Sequence, residues 1–314
     1  MRFKGLDLNL LSAFSALIEE RSVSRAAARL HLSQPAVSAA LARLRQHFRD
    51  DLLVLHGKRM YPTALAETLA PQVTDVLRSL ERMLDTAGGF DPATSTRAFR
   101  VAASDYVLMV LIRALAQRLG AEAPGVRLLV ELPGERTAER LEEGRLDLVI
   151  TPEEFASPRN PVEFAFEERH VVVGWDRNPA FDAPITEDRF FALEHVAVAV
   201  GADAPAAFAD RQLEQLGKPR RIAMVAPSFS GLPWLLCGTQ RIGLMHERLA
   251  LMMRDNLPLA VSPVPFAFPA MREVVQHHRA RGGDTGLAWL RRRLLDAAGA
   301  GAGEESLPGV GVSS

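Results

Sequence analysis

The pattern that most constrains this chain is a pair of short helical segments joined by a tight turn near the N-terminus. Ser22 can cap a helix over residues 23–30, and Ser33 can cap the next helix, whose first turn tolerates Pro35 because no N–H is needed there. Apolar side chains recur along this second helix at helical spacing, namely Val37, Ala40, Leu41, Leu44 and Phe48. We expect this stripe to pack on the preceding helix and on a further helix within residues 6–20.

The opposite face of the same helix is polar and basic, as a helix-turn-helix requires. In that motif the second helix lies in the major groove with its N-terminal side chains at the base edges. Gln34 is the candidate for direct base readout, because its amide both donates to and accepts from adenine. The other candidate DNA contacts are Ser22, Arg25, Ser33, Pro35, Ser38, Arg43, Arg45 and Arg59, of which the last three suit phosphates. On periodicity and charge alone, a three-helix bundle with a solvated basic face is the alternative.

Charge is divided unevenly along the chain. The first 65 residues carry ten basic and five acidic side chains, a net charge of +5, whereas the rest of the chain carries −6. A basic head on an acidic body is typical of a polyanion-binding module joined to a domain with a different task.

Several sequence features bear on where the protein resides. The chain has no run of about 18 or more apolar residues, and Asp7, Glu19 and Glu20 interrupt any stretch that could serve as a signal peptide. The single cysteine, Cys237, cannot form an intrachain disulfide. We therefore expect a cytoplasmic protein with no membrane partner.

The segment after the helix-turn-helix predicts a wing and then a long helix. Leu53-Val54-Leu55 and Arg59-Met60-Tyr61 flank a turn, as in a short hairpin. Residues 64–88 then place apolar side chains in steps of three and four, close to the seven-residue repeat of a coiled coil, at Leu65, Leu69, Val73, Val76, Leu80, Met83 and Ala87. Pro71 should kink this helix. Residues 89–97, rich in Gly, Asp, Pro, Thr and Ser, form the clearest linker.

Beyond the linker, strand-like and helix-like segments alternate up to residue 298. Alternation of this kind predicts parallel α/β sheets with crossover helices. The fold class is therefore α+β and multidomain. We assign residues 1–63 to a winged helix-turn-helix, 64–88 to a linker helix for dimerisation, 89–97 to a hinge, 98–298 to a C-terminal domain, and 299–314 to a disordered tail.

The run from Ser22 to Ser38, continuing through Leu41, Arg43 and Leu44, closely resembles the DNA-binding signature of LysR-type transcription regulators. Residues 51–54, Arg59 and 62–64 resemble that family's wing and the start of its linker helix. The resemblance implies a linker helix that pairs two subunits as an antiparallel coiled coil, often within a homotetramer. It also implies a C-terminal domain like a periplasmic binding protein, with an effector cleft between two α/β subdomains, here about 98–168 with 272–298, and about 169–271. Val54 stands where the family commonly has Phe, an apolar departure.

Residues 1–11, 169–171 and 227–242 are similar to one branch of that family, the nodulation-regulator and naphthalene/salicylate-regulator group. Members of this branch respond to aromatic compounds such as flavonoids, salicylate and other substituted benzoates or phenols. The resemblance therefore implies a small aromatic effector. Gln240-Arg241 and residues 243–246 depart from the branch pattern, which suggests tuning to a different ligand.

Six residues are candidates for lining the effector cleft by their positions at strand ends: Ser104, Asp105, Thr151, His170, Ser228 and Phe229. Hydroxyl, imidazole and phenyl groups suit an aromatic ligand that carries one polar substituent. Backbone N–H groups at the start of the helix near Val107 would favour an anionic group there. Each residue also has an ordinary structural reading, since Ser104 can cap its helix and His170 can be a satisfied core histidine.

Three functional hypotheses follow. The first is an effector-responsive DNA-binding regulator that is not an enzyme and needs no cofactor or metal. The second is a constitutive DNA-binding protein whose cleft binds nothing. The third is an α/β enzyme with a helical extension, although the histidines lack metal-ligand spacing and no Gly-x-Ser-x-Gly or Walker loop occurs. The partners predicted by the first hypothesis are operator or promoter DNA, the aromatic effector and further copies of the chain as dimer to tetramer, with RNA polymerase as an additional candidate.

Overall fold

The computed structural model describes residues 2–3, 6–56, 59–199 and 207–300, and the chain divides into two compact units, residues 1–88 and 89–314. The first unit is mainly helical. Its helices are Asn9–Glu20, Val23–Arg29, Gln34–Phe48 and Ala64–Gly88, and its strands are Arg2–Phe3, Leu6–Asp7, Leu53–His56 and Arg59–Pro62. Residues 57 and 58 of the predicted turn of the wing lie outside the described residues.

Local signals define the second and third helices where the sequence predicts them. The hydroxyl of Ser22 accepts from the backbone N–H of Arg25, and that of Ser33 accepts from Ala36, each at 3.4 Å. Between the two helices His31 adopts a left-handed conformation with φ of 53°, which closes the tight turn. The capped start of each helix and the turn between them are therefore encoded locally.

The third helix, Gln34–Phe48, buries the stripe predicted from its periodicity. Val37, Leu41 and Leu44 are buried, and Ala40 and Phe48 pack at the edge of the same core. Leu10, Leu11, Phe14 and Leu17 of the first helix supply the other side of this core. The apolar underside of the third helix is thus held by the helices that precede it.

Arg45 joins the third helix to the wing. Its guanidinium donates to the backbone carbonyls of Asp51, at 2.8 Å from Nε, and of Leu53, at 2.7 Å from Nη2. The wing itself is an antiparallel hairpin of Leu53–His56 and Arg59–Pro62. Hydrogen bonds from a charged donor to these carbonyls fix the root of the hairpin relative to the helix.

The linker helix, Ala64–Gly88, starts at a capped position and runs through Pro71 as one segment. Thr63 accepts from Ala66 N–H at 3.2 Å and donates to Asp50 at 2.6 Å. The predicted coiled-coil stripe is divided between the core of this unit and solvent. Leu69, Val73 and Leu77 pack onto the core of their own unit, whereas the side chains of Leu65 and Val76 are exposed.

The second unit contains two five-stranded mixed sheets built on the same plan. The first sheet has the order Arg127–Glu131, Ala98–Ala102, Leu148–Pro152, Met271–Gln276, Val162–Glu168. The second has the order Arg221–Ala226, Glu194–Val198, Ile242–His246, His170–Trp175, Leu259–Pro263. In each sheet the first three strands are parallel and the fourth is antiparallel to both its neighbours.

The expectation of parallel sheets holds for the first three strands of each sheet, whereas the antiparallel fourth strand makes each sheet mixed. The chain passes from the first sheet to the second between Glu168 and His170, and it returns between Pro263 and Met271. Strands that enter or return at such a passage run against the strands of the βαβ units, so each sheet acquires an antiparallel part. The two sheets with their helices form the two α/β subdomains that the sequence predicted.

Helices flank both sheets. They are Asp105–Val107, Arg113–Glu122, Thr137–Glu142, Glu187–Ala192, Phe208–Gln215, Leu232–Leu236, Glu247–Arg254 and Thr285–Ala300. The π-helical segment Leu108–Ile112 joins the first two, and short 3₁₀ turns lie at Glu153–Phe155, Pro179–Phe181 and Arg279–Arg281. Across the ranges that the structure describes, no helix is both long enough and apolar enough to cross a membrane.

A buried ion-pair network attaches the last helix to the first sheet. The Nη1 and Nη2 atoms of Arg97 donate to the carboxylate of Asp284, at 2.8 and 2.7 Å. Arg281 donates from Nη2 to Asp284 at 2.7 Å and from Nη1 to Asp147 at 2.5 Å. Asp147 also accepts from the backbone N–H of Arg100 at 2.7 Å. Because every charge in the network has a partner, these buried groups hold the closing helix in place.

Leu44 provides a test of how the third helix is held. Replacing it with Ala removes a fully buried side chain and leaves a cavity, so the free energy of opening this unit should fall by about 2–5 kcal/mol. Native-state hydrogen exchange of amides in residues 9–48 of the full-length protein measures this opening. Gln46→Ala, at an exposed position of the same helix, should change it by less than about 0.5 kcal/mol. Equal effects of the two substitutions would contradict burial of the stripe.

Candidate nucleic-acid interface and ligand cavity

The N-terminal half of the third helix presents an exposed polar surface. Gln34 is its first residue, and Gln34, Pro35, Ser38 and Arg43 are all exposed. The neighbouring exposed side chains, Ala36 and Ala39, are small. A helix end with a free amide, a hydroxyl and small neighbours can approach base edges closely.

The other predicted DNA contacts have different surroundings. The hydroxyls of Ser22 and Ser33 serve as helix caps. Arg25 pairs with Glu20, and two nitrogens of Arg45 bind carbonyls at the root of the wing. Those contacts give Arg45 a positioning role within the protein. The side chain of Arg59 lies outside the described part of the structure.

A cavity of about 430 Å³ lies between the two sheets of the second unit. This volume is in the range of small-molecule sites. Its aromatic walls are Tyr106, Phe155, Phe208, Phe229 and His246, and its other polar or charged lining residues are Ser104, Glu135, Thr137, Thr151, Glu154, Ser157, Arg211, Glu273 and Gln276. Both subdomains contribute to the wall, so a ligand here would contact each of them.

The six residues predicted for the cleft divide into two groups. Ser104, Thr151 and Phe229 line the cavity. Asp105, His170 and Ser228 are not among its lining residues. Ser228 accepts from the backbone N–H of Gly231 at 3.1 Å, which forms the turn that carries Phe229.

Asp105 joins the two subdomains directly. Its carboxylate accepts from the backbone N–H groups of Phe229, at 3.2 Å, and of Ser230, at 2.7 Å. At the start of this helix Ser104 accepts from the N–H of Val107 at 3.3 Å, so one of the N–H groups expected to favour an anionic group of a ligand is taken by the protein.

His170 lies next to His246, which is one of the residues of the cavity wall. The two rings are 4.8 Å apart between centroids, and His170 stacks on Phe208 at 5.4 Å. Burial lowers the pKa of His170 to about 3 and that of His246 well below its ordinary value, so both rings are neutral at pH 7. The histidine that reaches the cavity is His246 rather than His170.

An aromatic stack forms one end of the cavity. The rings of Tyr106 and His246 lie nearly parallel, at 10°, with centroids 3.7 Å apart, and Phe229 meets His246 edge-on at 4.7 Å. Tyr106 comes from the first subdomain, and the other two rings come from the second. These flat, neutral rings form an apolar aromatic surface against which a ligand can pack.

Two buried carboxyl groups lie beside this stack. Glu168 accepts from the hydroxyl of Tyr106 and from the backbone N–H of Arg248, at 3.2 Å from the latter. Burial raises the pKa of Glu168 to about 6, while these two donors oppose the rise. Arg248 Nε lies 3.5 Å from the same carboxylate. Glu168 is therefore mainly ionised at pH 7.

Glu273 has no hydrogen-bond donors comparable to those of Glu168 in the described residues. It lines the cavity, its residue is 1% exposed, and its Oε2 has no hydrogen-bond partner in the described part of the chain. Burial raises its pKa to about 8, and the negative charge of Glu168 contributes to the rise. Glu273 therefore carries a proton at neutral pH.

The sequence reasoning missed Tyr106, Glu168, His246 and Glu273. One signal was present for His246, which ends a parallel strand on the side where α/β sheets bind ligands. The two glutamates gave no comparable signal, because a carboxylate at a strand position is usually solvated. The described residues contain no group of three or more potential metal ligands.

A helix-turn-helix unit together with a two-subdomain unit that encloses a ligand-sized cavity defines a DNA-binding transcription regulator. Residues 8–67 match the family described as bacterial regulatory helix-turn-helix protein, lysR family, and residues 93–299 match the LysR substrate binding domain. The chain belongs to the LysR family of transcriptional regulators.

Among curated relatives, the chain is 40% identical to nodulation protein D 2 of Bradyrhizobium elkanii and 41% identical to that of Bradyrhizobium diazoefficiens, each over 95% of this chain and 90% of the relative. Among solved structures, it matches the probable transcriptional regulator PA0477 from Pseudomonas aeruginosa with a TM-score of 0.81 and 32% identity, over 93% of this chain and 97% of that one. The fold also matches full-length CbnR in complex with its target DNA, with a TM-score of 0.63 and 16% identity, over 94% of this chain and all of that one.

The protonated state of Glu273 leads to a pH-dependent stability. Its pKa is about 8 in the folded chain against an ordinary value of 4.5, so folding retains a proton that the unfolded chain releases between these values. The stability that this proton contributes is present below pH 4.5 and is lost as pH rises towards 8. Glu273→Gln, which leaves the neighbouring Glu168, Tyr106, His246 and Arg248 in place, should therefore gain stability relative to wild type as pH rises.

Urea unfolding at pH 5 and pH 8 measures this difference for the second unit. Glu135→Gln, at an exposed acid on the edge of the same cavity, should follow the wild-type profile. A constant difference between Glu273→Gln and wild type at both pH values would show that Glu273 is ionised throughout.

Proposed function

We propose that this regulator responds to a small aromatic effector bound in the cavity between the two subdomains. The observation that carries the proposal is the cavity itself, with its stacked Tyr106 and His246 and the edge-on Phe229. Similarity to nodulation protein D and the aromatic-responsive branch named above supports the same class of ligand.

The response would be a population shift between arrangements of the subdomains. Asp105 of one subdomain holds the loop at Phe229 of the other, and Phe229 also faces the cavity. A ligand that packs against Phe229 therefore binds one arrangement of this loop better than another. Such differential affinity is what allows an effector to move a conformational equilibrium.

Within the DNA-binding unit, we assign base readout to Gln34, with Pro35 and Ser38 beside it. Arg43 and Arg59 are the phosphate contacts in this proposal, and Arg45 keeps the wing in position. The regulator would act in the cytoplasm, where its DNA is. Its exposed Val76 and half-buried Leu80 on the linker helix suit pairing with a second copy, from which a tetramer could assemble.

A thermal-shift experiment tests the effector proposal. The full-length protein is melted with salicylate, 2-hydroxyacetophenone, 4-hydroxybenzophenone or naringenin, and at least one of these should raise its melting temperature by binding only the folded state. Ala138→Trp should abolish the rise, because Ala138 lines the cavity and an indole there would occupy it. Gln46→Ala should keep the full rise. No shift with any compound would favour a constitutive regulator, and an unchanged shift in Ala138→Trp would place the ligand elsewhere.

Gln34→Ala tests the base-readout assignment. The variant should lose about 1–3 kcal/mol of discrimination between a duplex selected by the wild-type protein and a scrambled duplex, while its non-specific affinity is retained. Fluorescence anisotropy at one fixed salt concentration measures both affinities. Gln46→Ala, near the other end of the same helix, serves as the control and should discriminate like wild type. Undiminished discrimination by Gln34→Ala would remove Gln34 from base contact.

A further inference from the structure

Glu273 is a buried acidic residue in the cavity wall. It belongs to the strand Met271–Gln276, where Met271, Val274 and Val275 are buried. The other polar group of this strand that lines the cavity, Gln276, is engaged by the backbone of Ser157, from which it accepts at 3.0 Å and to which it donates at 2.8 Å. Glu273 also lines the cavity, and within the described residues its buried Oε2 makes no such contact, so a ligand that reaches this atom would be its partner.

The surrounding charges keep Glu273 in its acid form. Arg248 pairs with Glu168 and also donates to the carbonyl of Glu167 at 3.2 Å. Among the described lining residues Arg211 is the one arginine or lysine, and its guanidinium lies 4.4 Å from the centre of the Phe155 ring. Residues 200–206, which precede Ala207 of the wall, contain neither lysine nor arginine. A buried carboxylate without a cation is disfavoured, and the charge of Glu168 disfavours it further.

We propose that Glu273, as a neutral carboxylic acid, selects the effector by donating a hydrogen bond to an uncharged oxygen, such as a carbonyl, carried on an aromatic ring. The proposal rests on the function assigned to this cavity above and narrows its ligand class. A neutral acid offers one donor, and leaving a buried donor unpaired is costly, so a ligand with an acceptor at this point is preferred over one without.

The same arrangement disfavours aromatic carboxylates. An anion placed against Glu273 would lie near the ionised Glu168, whose charge Arg248 already pairs, and Arg211 is the one lysine or arginine among the described lining residues that could balance the anion. At the helix start near Val107, Ser104 already accepts from the N–H of Val107, and the carboxylate of Asp105 places a negative charge of the protein at the same helix end. Recognition through a neutral oxygen therefore fits the donors and charges around the cavity better than recognition of a carboxylate.

Matched pairs of compounds test this selectivity by calorimetric titration of the full-length protein at pH 7. The first pair is 2-hydroxyacetophenone and salicylate, and the second is 4-hydroxyacetophenone and 4-hydroxybenzoate; in each pair an acetyl group with a neutral carbonyl stands where the other member has a carboxylate. In at least one pair the neutral member should bind about tenfold more tightly or better, and in neither pair should the carboxylate be preferred. Tyramine, an aromatic cation, should bind more weakly than the preferred neutral compound.

Two variants assign the selectivity to Glu273. Glu273→Gln keeps an uncharged donor and should bind the preferred neutral compound within about threefold of wild type, whereas Glu273→Leu removes the donor and should weaken binding about tenfold. Melting temperatures without compound verify that both variants fold. If Glu273→Leu does not fold, the binding of the neutral compound by Glu273→Gln is the test. A loss in Glu273→Gln as large as in Glu273→Leu, or wild-type binding by a folded Glu273→Leu, overturns the proposal.

The outcomes separate this inference from the function on which it rests. Tighter binding of a carboxylate than of its neutral partner would overturn the role of Glu273 and leave an aromatic effector in place. Tighter binding of tyramine would show that Glu273 acts as an anion, with the same consequence. Failure of every compound to bind would overturn both the selectivity and the aromatic-effector proposal.

Discussion

The buried carboxylate of Glu168 is the interaction on which the ligand-binding unit depends. It lies at the end of a strand of the first sheet, next to the passage into the second, and it accepts from Tyr106 of one subdomain and Arg248 of the other. Because both donors favour the ionised form, the charge stays on Glu168 and the proton stays on Glu273. One interaction thus ties the subdomains together, orients the Tyr106 ring for stacking on His246, and determines which of the two acids can donate.

The resulting cavity combines aromatic walls with two kinds of buried polar group. Glu168 beside the wall has protein partners, whereas Oε2 of Glu273 and Nδ1 of His246 have none in the described residues. A site of this kind selects ligands through the penalty for leaving its own groups unpaired, which exceeds the net gain from one hydrogen bond. Asp105 adds a connection to the opposite subdomain at Phe229, so ligand packing and subdomain arrangement act on the same loop.

The DNA-binding unit could be predicted in detail because its signals are local: Ser22 and Ser33 cap helices a few residues away, and the stripe through Leu44 follows one helical period. The cavity could be predicted only in part, since it depends on pairing between distant strands. His170 and His246 are directly opposite each other in neighbouring antiparallel strands, and only packing decides which ring reaches the cavity. The alternation of strand-like and helix-like segments does not predict the strands Val162–Glu168 and Leu259–Pro263, because each pairs with a strand next to a passage between the subdomains. The division of the linker-helix stripe between the core and solvent likewise required the tertiary structure.

The proposed response to an effector requires that occupancy of the cavity and binding of DNA by the third helix are energetically coupled. The affinity of the full-length protein for its selected duplex is measured with and without a saturating aromatic compound, and the affinity for that compound is measured with and without the duplex. Both affinities should change by the same factor, because coupling between two sites is reciprocal. An aromatic compound that occupies the cavity and leaves the affinity for DNA unchanged would contradict this coupling.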